Sequence, residues 1–484
     1  MPLALKFDEP TADSYRGVMN RSRSDGATPT NTPRSSPAAL PADDPVDFLT
    51  DNHVRHAPEF FNQMRATNPV LWSERHRAWV ITGHPELDEA FRDRRLSTER
   101  MEAFRSRQSG SRAEALAKAI ELLDGWMLFH EPPTHTRLRS PLSRRFTARA
   151  VSTMGQSIQQ IADELLDQME TEAAGGRTID LVEMFAHPLP AAVIGRLFGV
   201  ADEDRHWLAD WSRKFGAVVF GAVNLPDYEE RARQAGDELE HRLGALMDRY
   251  RAAPEDNLLS ILLANENKEG GLSTVEILGA CSILLFAGHD TTASILGSAT
   301  NALCERPEAA EEFTALALKG LGLSLSGQTD SEPSDLDETG LAGSNLSSTN
   351  TGSSSDPLGL AIEELLRFEA PAKAMMRMVV EPHERGGHTL EEGQAVFMGI
   401  LGANRDPRVF EAPNELNFQR SPNPHLTFGY GHHFCLGAAL ARLEARIALG
   451  GLFTRFPGIQ LAGDVEWKPT ISDRSAARIP VTLH

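Results

Sequence analysis

The chain of 484 residues is poor in cysteine, with only Cys281, Cys304 and Cys435. Three thiols cannot build a disulfide framework, and no CxxC pair suggests a structural zinc site or a redox dithiol, which points to a reducing cytoplasm. Long apolar runs are missing too. The nearly apolar stretch from Ile277 to Gly288 is about a dozen residues, short of the roughly 20 that cross a bilayer, so no membrane span is expected. Positive charge is scarce: 48 Lys and Arg stand against 68 Asp and Glu, a net charge of -20. That balance favours solubility and disfavours nucleic acid or an anionic membrane as a partner. The N-terminus lacks the charged-then-apolar order of a secretory signal, and Asp8 and Glu9 weigh against a transit peptide. What the chain does have, 41% hydrophobic and 24% charged residues, suits a soluble protein with a large core.

Two stretches break that pattern. Residues 1–45 are rich in Ser, Thr, Pro and Asp with no apolar period, and read as a disordered extension. Residues 320–357 carry six acidic residues and no Lys or Arg, and read as a flexible insertion in a single domain spanning 46–484. Roughly 400 residues then remain for one core, at the large end of single-domain sizes. Helical periodicity is expected over Ser157–Glu170, Glu229–Tyr250, Thr274–Cys304, Leu360–Phe368 and Leu436–Phe453. Short β-branched or alternating runs at Val70–Trp72, Trp79–Thr82, Met378–Val380 and Ala395–Met398 read as strands. The fold class is mainly α with small β-sheets.

The strongest chemical signal is Phe428-Gly429-Tyr430-Gly431-His432-His433-Phe434-Cys435-Leu436-Gly437, followed by the helix-forming run AALARLEARIAL. A glycine-rich turn here delivers one cysteine to a helix N-terminus, where free amides and the helix dipole favour a thiolate. The glycines let backbone pass close to something flat and bulky. A thiolate held this way is a good axial ligand for haem iron. An isolated cysteine is more often a small buried apolar residue, and Cys281 and Cys304 fit that description. A zinc site from His425, His432, His433 and Cys435 lacks the usual paired spacing.

On this pattern, F-G-x-G-x-H-x-C-x-G, the sequence resembles the cytochrome P-450 superfamily of haem-thiolate monooxygenases, in its soluble bacterial type. The likeness covers nearly everything from Pro45 to the C-terminus except the serine-rich insertion. It implies the fold of that family, with haem b between a long central helix and the cysteine loop. It also implies that Cys435 is the axial iron ligand, that His433 hydrogen-bonds a haem propionate, and that Phe428, Gly429, Ala287 and Gly288 lie against the haem.

A second signal, Ala287-Gly288-His289-Asp290-Thr291-Thr292, lies inside a long apolar helix that opens on a capping-box pattern, Ser273 with Glu276. Polar residues and a glycine in a buried helix are costly unless they serve a purpose. One reading is a widened turn with room for dioxygen; the other is a kink in which Thr hydroxyls bond back to carbonyls. The resemblance favours the first, with Thr291 hydrogen-bonding the dioxygen and Asp290 relaying protons from solvent.

Glu364 and Arg367 stand at i and i+3, which alone is a common surface pair. The resemblance makes them the E-x-x-R pair that ties this helix to Asn404-Arg405-Asp406-Pro407, a structural role. His135 and Arg139 share a helical face at i and i+4, and Arg377 follows Arg367 by ten residues. Each alone is as readily a solvated charge; by resemblance all three hold the propionates. Arg137, Arg144 and Arg145 add to this cluster and suggest a docking patch for an acidic electron-transfer protein.

The resemblance implies a monooxygenase that inserts one atom of O2 into an apolar small molecule by hydroxylation or epoxidation. With no flavin or iron–sulfur module visible, electrons would come from NAD(P)H through a ferredoxin and its reductase. The protein would be a cytoplasmic monomer of secondary metabolism. A peroxide-driven peroxygenase, a nitric oxide reductase and a non-catalytic haem sensor are disfavoured by Asp290 and Thr291. Phe215, Val218, Val219, Phe220, Met375 and Met376 suggest an apolar cavity, each equally compatible with core packing.

Overall fold

A computed structural model describes residues 47–106, 108–201, 205–219, 227–322 and 356–483. The expected N-terminal extension lies outside the described residues, as do positions 323–355 of the expected insertion. The flanks of that insertion are helical: Pro307–Gly320 precedes it, and the Asp356 side chain caps Pro357–Phe368 after it.

Helices dominate, with four small sheets among the described residues. The central helix, Thr274–Cys304, starts on the capping box legible in the sequence: Ser273 accepts from the Glu276 amide, and the Glu276 carboxylate accepts from the Ser273 amide at 2.9 Å. It packs against Gly110–Asp124, Pro188–Phe198, Arg205–Val219 and Ala438–Arg455. One contact is backbone on backbone: a Cβ on Gly279 would lie 2.4 Å from the Gly125 Cα, so only glycine fits there. The expected widened turn is absent, since the α-helix runs unbroken from Thr274 to Cys304.

The largest sheet has five strands in the order Val70–Ser73, Ala78–Ile81, Ala395–Met398, Met375–Val379, Leu96–Ser97. Ala78–Ile81 and Ala395–Met398 pair in parallel, Val80 opposite Phe397; the other pairings are antiparallel. Phe61, Val80, Val396 and Met398 form an apolar cluster there, apart from the main helical core. The expected elements are present with shifted ends, such as Gly155–Glu172, Tyr228–Ala252 and Met375–Val379. The last major helix starts at Ala438 rather than Leu436, because Gly437 takes the cap position.

Candidate active site

Gly429 and Gly431 sit at φ of 67° and 72°, the left-handed region that glycine enters without strain. These two turns fold the loop back so that the Cys435 amide donates to the Phe428 carbonyl at 2.9 Å. The Gly437 amide donates to the Cys435 sulfur, and Arg139 and Arg442 act on it electrostatically. Burial still outweighs these donors and pushes the Cys435 thiol up. The helix-end amide and the two arginines act in the expected direction, toward the thiolate, against that burial. Cys281 is buried and Cys304 half-buried, and burial pushes both thiols up.

His135 is buried, and neither ring nitrogen has a hydrogen-bond partner among the described residues. Its ring lies 4.7 Å from that of His433. Burial, then the neighbouring His433, His432 and Arg139, lower its pKa to about 4, so it is a neutral imidazole with a donor and an acceptor unused. Arg139 is half-buried, with its guanidinium held down by burial and drawn to Cys435. Arg377 is buried on strand Met375–Val379 and donates to the Met376 carbonyl at 3.1 Å. His433 meets Thr98 Oγ1 at 3.2 Å and Glu131 Oε2 at 3.7 Å, and His432 meets Glu131 at 2.6 Å. Glu131 and Thr98 were not marked by any motif. His425 instead pairs with Glu363 at 3.0 Å, so the histidines do not converge on Cys435 as a zinc site would require.

On the central helix, residues 281–286 and 292–303 are buried, yet Ala287 is exposed and Gly288, Asp290 and Thr291 are half-exposed. These residues are the accessible stretch of an otherwise buried helix. Thr291 Oγ1 donates to the Ala287 carbonyl at 2.6 Å, the back-bonded state left open by the sequence. Gly288 faces Ile194, whose Cδ1 would lie 2.6 Å from an added Cβ. Asp290 Oδ1 is 3.8 Å from Lys468 Nζ. Burial raises the Asp290 carboxyl to about 6, with Lys468 opposing and Asp473 reinforcing the shift.

Glu364 and Arg367 are fully buried, bonded through both carboxylate oxygens at 2.8 Å. Arg367 also donates to the carbonyls of Asn404, Pro413 and Glu415, while Glu364 accepts from Arg420 and the Asn417 amide. The pair ties its helix to the 404–420 segment as expected. A second node was not expected: Glu363 pairs with Arg442 of the cysteine-loop helix, and Arg442 lies 4.3 Å over the Phe428 ring.

The structure places both the cavity candidates and the arginine cluster. Phe215 is fully buried against Trp126 and Trp211, so it packs the core instead of lining a cavity. Met375, Met376 and Val219 are half-buried; Phe220 and the Val218 side chain lie outside the described residues. In the arginine cluster, Arg137 is bound to Glu276 at 3.0 Å and Arg145 to Asp256. Both pairs remain partly exposed and Arg144 is exposed, so the cluster stays at the surface.

The donors fit haem b. One soft sulfur stands ready as an axial ligand, and cationic or donor side chains, including the unpartnered His135, gather where two carboxylates need partners. No helix among the described residues is long and apolar enough to cross a membrane. The sequence pattern of the family described as "Cytochrome P450" matches residues 107–315 and 358–473. The chain is 33% identical over 410 residues to "Polyketide biosynthesis cytochrome P450 PksS" of Bacillus subtilis (strain 168), covering 84% of this chain and 89% of that one. It is 34% identical over 449 residues to "Nocardicin C N-oxygenase" of Nocardia uniformis subsp. tsuyamanensis, covering 91% and 97%. The solved structure of P450BioI in complex with hexadec-9Z-enoic acid ligated acyl carrier protein superposes with a TM-score of 0.72 at 26% identity, over 90% of this chain and 100% of that one. Sequence match, backbone and thiol loop agree, and the chain belongs to the cytochrome P450 family, oxidoreductases that use haem and incorporate oxygen from O2.

Proposed function

We propose that this chain is a single haem domain that hydroxylates or epoxidises an apolar small molecule of secondary metabolism, with electrons delivered from NAD(P)H by a separate ferredoxin and reductase. The observation that carries the reading is the exposed face of Ala287 to Thr291, set in an otherwise buried helix with an acid of raised pKa beside it. A sensor or a structural haem protein needs the thiolate and the cations but no such acid and alcohol. The polyketide and carrier-protein names of the relatives support a substrate of natural-product type.

Haem b, when bound, supplies the iron at which dioxygen is reductively activated, and the thiolate pushes electron density toward O–O cleavage. The protein's own residues do the rest. Cys435 provides the sulfur, held by the Gly437 amide. His135, Arg139, Arg377 and His433 would hold the two propionates. Thr291 Oγ1 exchanges its bond to the Ala287 carbonyl for one directed into the cavity. Asp290, titrating at about 6, takes protons from the Lys468 side and passes them inward near neutral pH, where an acid of that strength both gains and loses a proton readily.

Replacement of Thr291 with Ala tests this. The reduced carbon-monoxide spectrum should stay as in the wild type while electrons are diverted to hydrogen peroxide. Product formed per NAD(P)H at the wild-type ratio would overturn the proton-delivery role.

A further inference from the structure

Arg100 sits between strand Leu96–Ser97 and helix Met101–Arg105. Its side chain is half-buried. Arg100 Nη1 donates to the Met376 carbonyl at 3.4 Å, and Arg377 Nη1 donates to the same oxygen at 3.1 Å. Arg100 also lies 4.4 Å over the Phe129 ring.

Two guanidinium groups therefore converge on one carbonyl oxygen. Neither makes another hydrogen bond or an ion pair among the described residues, although each has five N–H donors. Burial lowers both to about 10, and Arg377 adds repulsion at Arg100. Glu131 is the only carboxylate that acts on Arg377, and its oxygens are already engaged by the Thr98 amide and hydroxyl, the Ser97 hydroxyl and His432. Like charges brought together in a largely buried place favour an anion, and no carboxylate among the described residues pairs with either of them.

We propose that Arg100 and Arg377 together form a carboxylate-binding site, in which Arg100 is a positioning cation marked by no sequence motif. The planar forks suit a carboxylate bound by two parallel bonds. The carboxylate comes either from a haem propionate or from an acidic substrate lying along Met375 and Met376. The assignment rests on the haem reading above, and the experiment separates the two.

The full-length haem-loaded protein is compared with Arg100→Gln and Arg100→Lys by two measurements. The first is the rate of haem transfer to apomyoglobin. The second is the spectral affinity for hexadecanoic acid against its methyl ester. If a propionate is the ligand, haem transfer from Arg100→Gln speeds up by about tenfold with acid and ester affinities unchanged. If a substrate carboxylate is the ligand, Arg100→Gln loses about tenfold in affinity for the acid alone, and haem transfer stays at the wild-type rate. Arg100→Lys, which keeps the charge, falls between in either case and guards against a folding defect. Wild-type values for both measurements in Arg100→Gln overturn the proposal. Absence of the red-shifted thiolate Soret band in the wild type itself would instead overturn the haem-thiolate reading.

Discussion

Arg367→Lys keeps the charge of the buried pair and removes its geometry, so it isolates what the guanidinium fork does. Arg367 donates five hydrogen bonds: two to Glu364 at 2.8 Å, and one each to the carbonyls of Asn404 at 2.8 Å, Pro413 at 2.9 Å and Glu415 at 3.2 Å. An ammonium has three donors, so at least two of these five bonds are lost; Glu364 keeps Arg420 and the Asn417 amide as donors, so the cost falls on bonds to a charged group or on carbonyls left unsatisfied. At about 1–3 kcal/mol for each, the loss is about 2–6 kcal/mol. That is a large part of the 5–15 kcal/mol by which a folded domain is ordinarily stable. The assay is the denaturant midpoint, followed together with the fraction of protein retaining thiolate-ligated haem. Both should fall well below the wild type. Arg105→Lys, at the half-exposed pair with Glu102, should shift the midpoint by no more than about 0.5 kcal/mol. An Arg367→Lys variant as stable as that control would refute the reasoning, because it would mean that the fork's geometry is dispensable.

Cys435→Ser should bind haem without the red-shifted Soret band of the reduced carbon-monoxide complex; its retention would exclude Cys435 as the ligand. Lys468→Ala removes the cation that favours the ionised form of Asp290, so the carboxyl should hold its proton to higher pH than about 6. The acid limb of product yield per NAD(P)H then moves toward neutral pH, and superimposable profiles would disconnect Asp290 from the reaction. Acid should destabilise the fold through two carboxyls whose burial is overcome by cations. Asp93, bonded to Arg95 and Arg385, and Glu363, paired with Arg442 and His425, are each held at about 2. Their folded-state pKa values lie below the unfolded ones, so the stability they confer is present above about pH 4.5 and is lost as pH falls to 2. Asp290 has the opposite sign and offsets part of that loss between pH 6 and 4. Thermal midpoints across this range, with and without Glu363→Gln, measure the effect.

Much of the site was legible because its chemistry is written in short spans. The thiol loop needs two left-handed glycines within six residues of the sulfur, and the capping box needs Ser273 and Glu276 three apart. These are local demands of backbone geometry that only particular residue types meet. The partners of those residues were not legible. Glu131 meets His432 across 301 positions, and Lys468 reaches Asp290 from the last strands, contacts that no periodicity encodes. The same limit explains Arg137 and Arg145, whose neutralising carboxylates lie 139 and 111 residues away.

The unbroken central helix has a consequence for how such a catalyst diversifies. A single 31-residue helix, clamped at Gly125 by backbone contact, presents Ala287 to Thr291 as a stiff floor. A stiff floor cannot reshape itself around each new substrate, so under the proposed function accommodation falls to the walls, for which the half-buried Met375 and Met376 are the candidates. Variation aimed at new substrates is therefore best placed on those walls. Changes to the floor act on every substrate alike, as shifts in how faithfully electrons are converted to product.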